Sequence, residues 1–465
     1  MYILMKPKAK KHYLSVFSLV MINVIAVDSL RTLPMSAILG LSLVFYYLVA
    51  AVMFFIPVAL ISAELATTYP HTGGLYVWVR EAFGLRAGFI TIWLLWIYNV
   101  VWYPTILAFI VATSAYLFSP SLTNNASFIL FSSITLFWIF TILNAFGMRL
   151  SSLISTIGAI FGTILPMLFI IILGVTWLLM GNPAAIDLHQ SIIPKFNSLE
   201  QFALLPGILF GLLGMEMSAV HAEEVKNPQK DYPKALLYST IIIFATLMFS
   251  SLAITFVVAP EKLSIVSGLI DAFDLFFTHF NIPWLTKILA LLIILGAIAG
   301  VAAWIIGPTK GLLAAAKDGS LPQRLAKVNR HGAPVPILII QGIVFTILCF
   351  VFQLFDTVNA AYWLLSDLSA QMALMVYVMM FASAIKLRFK HKNKPRPFRI
   401  PGNNLVLILV ASCGLLSCFT AILIGFIPPA QIPISHIWRF EAFLGGGLML
   451  FIFLPLICMR FNSKV

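Results

Sequence analysis

The sequence predicts an all-α integral membrane protein with twelve transmembrane helices. Three observations lead there. Hydrophobic residues make up 61% of the 465 and charged residues only 10%, against about 25% charged in an average soluble domain. The apolar residues fall into runs long enough for a helix to cross a bilayer, about 20 residues each. The basic residues fall in the short connections between those runs. A soluble chain of this length has no means of hiding so much apolar surface, because much of any folded surface still faces water.

In chain order the runs are 14–38, 42–66, 87–116, 127–148, 151–180, 203–225, 233–258, 282–315, 336–354, 358–386, 404–427 and 437–460. The alternating segments of about ten residues that mark a membrane β-barrel are absent. Lys6, Lys8, Lys10 and Lys11 precede the first run, which lacks a small-residue cleavage site and is expected to remain as a span. The connection 67–86 mixes Pro, glycines and aromatics and reads as a short re-entrant or interfacial segment. Gly268 to Phe280 is amphipathic, as either an interfacial lid or a plain connector would be, and 316–335 reads as a basic, partly helical loop. Residues 1–465 form one transmembrane domain with no separate soluble part.

Orientation follows from the Lys and Arg count. With the N-terminus in the cytoplasm, 24 fall on the inner side and four (Lys195, Lys262, Lys287 and Arg439) on the outer. Cytoplasmic connections carry the excess of positive charge, so both termini are expected in the cytoplasm and the protein in the cytoplasmic (inner) membrane. The formal charge of +13 is thereby assigned to topology rather than to nucleic acid. Cys349, Cys413, Cys418 and Cys458 lie inside apolar runs and read as packing residues, with neither a disulfide framework nor a metal site.

Polar groups inside spans are costly and each calls for an account. The first span is interrupted by AVDSLRTLP, from Ala26 to Pro34. Pro34 removes a backbone donor and clashes with the preceding turn, which favours a break. If the stretch is helical, Asp28 and Arg31 share a face and neutralise each other. If it unwinds, Ala26, Val27, Asp28, Ser29 and Arg31 present free main-chain groups and a guanidinium to an anionic substrate group, for which the planar fork of Arg is suited. The sixth span is interrupted by PGILFGLLGMEMSAVH, from Pro206 to His221. Gly207, Gly211 and Gly214 weaken the helix and admit a ligand to the backbone of Met215 and Ser218, or serve only close helix packing. Glu216, deep in this span, is a candidate proton carrier or a structural acid tying helices together.

Breaks in the first and sixth spans, five apart, match the LeuT-type plan of two inverted five-helix repeats whose first helices are discontinuous. The repeats would be 13–180 and 203–386, with 404–460 as two peripheral helices. In the tenth span Asp367 ends the stretch AYWLLSD that starts at Ala361, facing either a cavity or a donor on a neighbouring helix. Trp93, Trp96, Tyr98, Asn99, Trp102, Tyr103 and Pro104 make the third span aromatic. Most of these rings are expected to pack, with one or two closing over a substrate, as is Trp304 in the eighth span. Glu64, at the cytoplasmic end of the second span, belongs to an inner gate or a helix boundary. No Walker loop, HExxH, CxxC or G-x-S-x-G stretch occurs, so ATP-driven transport and membrane hydrolases lack a motif.

Four long stretches, in order, carry a resemblance: FIPVALISAELAT from Phe55 with GGLYVWV from Gly73, GMEMSAVHAEEVKNPQKDYPKA from Gly214, AWIIGPTKGLLAAAKDGSLP from Ala303, and RPFRIPG from Arg396. Across essentially the whole chain the sequence resembles the amino acid–polyamine–organocation superfamily, and within it looks most like the glutamate/GABA antiporters. The resemblance implies a LeuT-type core in spans one to ten and amino acid exchange or proton-coupled uptake by alternating access. It also implies that Glu216 matches the acid of the broken sixth helix and that Ala26 to Arg31 matches the unwound part of the first. Acid-resistance members carry an aromatic residue at the Arg31 position and an acid at the Gly300 position, so the pocket differs here. The expected partners are a small amino acid substrate, the lipid bilayer and protons. No cofactor is expected, and a homodimer and a monomer are both compatible with the sequence. A passive channel and an integral membrane enzyme are the alternative function classes.

Overall fold

A computed structural model describes residues 14–70, 74–146, 158, 160–195, 199–216, 225, 227–317 and 319–460. Among these the chain is helical, with an isolated bridge pairing Leu14 and Val225 and no strand. The first span is a bent pair, α1 (Val16–Val27) and α2 (Leu30–Ala37), turned by 40° at its break. The second is α3 (Gly40–Thr68). A short helix α4 (Leu75–Phe83) precedes the third span, α5 (Leu85–Ala115). The fourth and fifth are α6 (Ala126–Ala145) and α7 (Ile160–Leu179). The sixth begins as α8 (Leu205–Gly211) and is described only to Glu216. There follow α9 (Pro228–Val257), the amphipathic α10 (Gly268–His279), α11 (Trp284–Lys317), α12 (Val335–Leu354), α13 (Val358–Lys390), α14 (Asn404–Ile424) and α15 (Ile437–Arg460).

Ten of these helices are long and apolar enough to cross a membrane, eleven with the bent pair counted as one span. They match eleven of the twelve expected runs, and the remaining run, 203–225, lies partly outside the described residues. The connection 67–86 carries the buried helix α4, and the basic loop 316–335 holds a single helical turn at Gln323–Ala326. All four cysteines are free thiols.

Burial sorts the helices into centre and rim. Of the most apolar stretch of each span, 89% is buried in α5 and 72% in α13, against 33% in α14 and 22% in α15. So α5 and α13 form the buried centre; the broken sixth span packs on α13 and both halves of the bent first span pack on α9, while α14 and α15 present apolar side chains outward, where lipid replaces protein as the apolar neighbour.

Prolines lock these helices together. Pro57, Pro308 and Pro455 lie within spans, and each frees the carbonyl four residues before it. Away from water such a carbonyl needs another donor. Trp304 O accepts from Tyr103 Oη at 2.9 Å and Phe451 O from Trp93 Nε1 at 3.0 Å, while Met53 O lies 3.2 Å from Ser417 Oγ, which shares its one hydrogen between that carbonyl and the carbonyl of Gly414 at 2.9 Å. Each proline therefore ties its span to a neighbour: α3 to α14, α11 to α5, and α15 to α5.

Candidate functional site

The first span gives up its helix where the sequence places its polar interruption. α1 ends at Val27, Asp28 and Ser29 are extended, and the chain re-enters helix through one tight turn, Leu30–Thr32. The sixth span also leaves its helix. α8 stops at Gly211, Leu213 keeps only a tight-turn bond of 3.3 Å from its N–H to the carbonyl of Phe210, the N–H of Gly214 goes to a side chain instead, and Met215 and Glu216 form a turn. Gly214 has φ +112°, a conformation that L side chains reach only with strain.

The two breaks meet. A Cβ on Gly214 would lie 3.3 Å from the carbonyl oxygen of Ala26 and 3.3 Å from the side chain of Val27. Gly211 faces Thr32, and a Cβ on Gly207 would come within 2.3 Å of Met35 Sδ. The glycines of the sixth span thus let its backbone cross the first at main-chain distance. Ser218, expected beside them, lies outside the described residues.

Asp28 and Arg31 do not neutralise each other. The Asp28 carboxylate lies against α9, with Thr246 Oγ1 at 3.0 and 3.2 Å from its two oxygens. Arg31 turns the other way. Its Nη1 is 3.5 Å from Tyr362 Oη on α13, and its guanidinium sits 5.2 Å from the ring of Phe210 and 5.6 Å from that of Trp102. Both distances are within cation–π range. Arg31 is 2% exposed, its Nε has no hydrogen-bond partner, and it has no carboxylate partner among the described residues. The half-buried Trp304 stands edge-on to Trp102 at 6.2 Å and so joins the same aromatic group.

Glu216 works on the backbone. Its Oε2 accepts from Tyr377 Oη at 2.5 Å, and the same hydroxyl accepts the N–H of Gly214 at 2.9 Å. Tyr377 of α13 thereby bridges the open turn to the acid that follows it.

The other two acids lie elsewhere. Asp367 is fully buried and accepts from Gln371 Nε2 at 3.1 Å. Its Oδ1 faces Gly425 just past α14, where an added Cβ would come within 2.9 Å. Glu64 is the hub of a buried network that joins α3 to the end of α13 and the loop beyond. Arg388 holds both of its oxygens, with Nε at 3.0 Å and Nη2 also bonded. Arg396 Nε lies 3.4 Å away, and the N–H of Ile400 donates at 3.0 Å. Arg396 also donates to the carbonyls of Leu387 and His391 at 3.1 Å each, closing the C-terminal end of α13. This gives Arg396 and Ile400 of the stretch RPFRIPG a physical role.

Of the aromatic stretch in the third span, Trp102 faces Arg31, whereas Trp93 and Tyr103 hold proline-freed carbonyls and Trp96 donates to Gln341 Oε1 at 3.0 Å. Sequence reasoning passed over Phe210, Tyr362, Tyr377 and Thr246. For the tyrosines there was a signal, since a hydroxyl inside an apolar run needs a partner. Phe210 and Thr246 carried none.

Comparison with known proteins agrees with this architecture. A model of the family described as amino acid permease matches residues 12–451. An uncharacterized transporter of Legionella pneumophila is 62% identical over 445 residues, covering 96% of each chain. A glutamate/gamma-aminobutyrate antiporter of Lactococcus lactis is 29% identical over 437 residues, covering 93% of this chain and 87% of its own. A probable agmatine/putrescine antiporter of the same species is 26% identical over 419 residues, covering 90% and 89%. With its apolar spans and a match that covers nearly the whole chain, this multi-pass membrane protein belongs to the amino acid permease family.

Proposed function

We propose that the protein moves an amino acid across the inner membrane by alternating access around the crossing of its broken first and sixth spans. The observation that carries this reading is the buried guanidinium of Arg31, which has no carboxylate partner among the described residues and lies beside two stretches of non-helical backbone. Main-chain N–H groups at the start of α2 would hold the substrate carboxylate, and carbonyls freed between Gly211 and Met215 would take the ammonium. Arg31, flanked by Trp102 and Phe210, would select a second anionic group, which favours acidic or glutamate-like substrates. Trp304 would close over the site together with Trp102. Glu216 and Tyr377 would keep the turn at Gly214 open, and Glu64 would hold the inner end of α3 against α13.

In this reading the chain has twelve spans, with 13–180 and 203–386 as inverted repeats, 404–460 as two peripheral helices, and both termini in the cytoplasm. The breaks five spans apart and the skew of Lys and Arg to one side support it. The glutamate/gamma-aminobutyrate and agmatine/putrescine relatives support exchange as one mode of operation.

The test is uptake of a panel of radiolabelled amino acids into proteoliposomes by the wild type and Arg31→Ala. The wild type should show uptake stimulated by internal substrate, a property of carriers. A charge-assisted hydrogen bond contributes about 1.5–3 kcal/mol, so the variant should lose roughly ten- to hundredfold of its preference for acidic over neutral substrates. Unchanged selectivity would make Arg31 purely structural. Flux indifferent to internal substrate would mark a pore, and product formation without net transport an enzyme.

A further inference from the structure

Asp28 is a buried carboxyl group for which the transport reading above supplies no use. It is 5% exposed and no cation neutralises it among the described residues. It also caps the C-terminal end of α1, where the helix dipole disfavours a negative charge.

Its hydrogen bonding has room for a proton. Thr246 Oγ1 lies within bonding distance of both Asp28 oxygens and also of the carbonyls of Ile242 at 2.9 Å and Ile243 at 3.1 Å. A hydroxyl has one hydrogen and can serve one of these acceptors at a time, whereas an ionised carboxylate offers about four acceptor positions. If Asp28 carries the proton, its O–H donates to Thr246 Oγ1, the Thr246 hydrogen goes to a carbonyl, and both hydroxyls are satisfied.

Among the described residues, the titratable neighbours do not supply the missing charge. From α3, Tyr47 lies near enough to feel a charge on Asp28, and its hydroxyl is bonded to Ser36 Oγ at 3.0 Å. On α9 the contact is Thr246. On the sixth span Glu216 is bonded to Tyr377 of α13, and on α2 Arg31 is turned to Tyr362, also of α13.

We propose that Asp28 carries the coupled proton, bonded to Thr246 when α1 packs on α9 and released when that contact opens. Arg31, three residues on, faces Tyr362 while Asp28 is held on Thr246; once that contact opens, an ionised Asp28 is free to compete with an anionic substrate for the guanidinium and a protonated one is not. Proton and anionic amino acid therefore favour each other's binding, and by linkage the effect is reciprocal. The inference rests on the transport reading but can fail separately from it.

The test compares uptake driven by an acid-outside gradient with counterflow at equal pH, in the wild type, Asp28→Asn and Glu216→Gln. For one coupled proton, a gradient of one pH unit corresponds to about a tenfold driving ratio. The wild type should approach this ratio, and Asp28→Asn should fall to about one, whatever its absolute rate. A response lost in Glu216→Gln and kept in Asp28→Asn would overturn the proposal, as would a wild type that transports without responding to the gradient. Infrared difference spectra give a second readout that needs no transport. A protonated carboxyl band should be present in the wild type and absent from Asp28→Asn. Should that variant not fold, Thr246→Val should move the band to the position of an unbonded acid, and an unmoved band would overturn the assignment. A wild type that keeps the band but moves no amino acid would refute the transport reading instead.

Discussion

Replacing Tyr103 with Phe removes one hydroxyl from the middle of the protein and tests how a proline is tolerated there. Pro308 leaves the carbonyl of Trp304 without its usual intrahelical donor, and Tyr103 Oη fills the gap at 2.9 Å. Tyr103 is fully buried, so water does not replace the lost hydroxyl. An unsatisfied buried acceptor costs about 1–3 kcal/mol, while hydrogen bonds between membrane helices average nearer ~0.6 kcal/mol and reach about 1.7. The expected loss for Tyr103→Phe is therefore about 1–2 kcal/mol. Pro308→Ala restores an N–H that can bond the same carbonyl along the helix. In that background Tyr103→Phe should cost no more than about 0.5 kcal/mol, leaving a coupling energy of about 1 kcal/mol in the double-mutant cycle. Reversible unfolding in mixed detergent or bicelles, followed by circular dichroism, measures all four proteins. An equal cost in both backgrounds would show that the hydroxyl does not compensate for the proline, and the account of the inter-helix ties at Pro57 and Pro455 would fall with it.

Three further outcomes are expected. Gly214→Ala forces a side chain into a conformation at φ +112° costing about 1–2 kcal/mol, so counterflow should drop sharply while the helical circular dichroism signal persists; normal transport would mean that the open turn is not needed. Glu64→Ala strands the buried guanidinium of Arg388, which is 4% exposed, and should destabilise by about 3–5 kcal/mol, read as early thermal unfolding in detergent. Burial raises the Asp271 carboxyl of α10 above the ordinary carboxylate value, against the lowering effect of the Tyr116 and Ser267 hydroxyls. A raised folded-state value means that folding takes up a proton, so the attachment of α10 should tighten as pH falls toward the carboxylate range and loosen as it rises through the folded value. Maleimide labelling of a cysteine placed in α10 should follow this trend and lose it in Asp271→Asn.

The sequence by itself determined the all-helical membrane fold class, the apolar runs that the described spans follow, and the places where helix gives way. Those properties are local: an apolar run of sufficient length has one comfortable solvent, and Pro34 or the glycines around Gly211 weaken a helix wherever it packs. It also marked Asp28, Arg31, Glu64, Glu216 and Asp367 as charges needing partners, because burying an ionisable group in lipid is costly in any fold. It left open who those partners are. Asp28 meets Thr246 and Arg31 meets Tyr362, 218 and 331 residues away in the chain, and two side chains three residues apart turn to opposite neighbours because the backbone between them is not helical. Asp367 faces Gly425 rather than the breaks for a reason no periodicity carries: the rotation of α13 about its own axis is set by every helix packed around it. Partnership across such distances is a property of the assembled bundle, so only the tertiary structure could decide it.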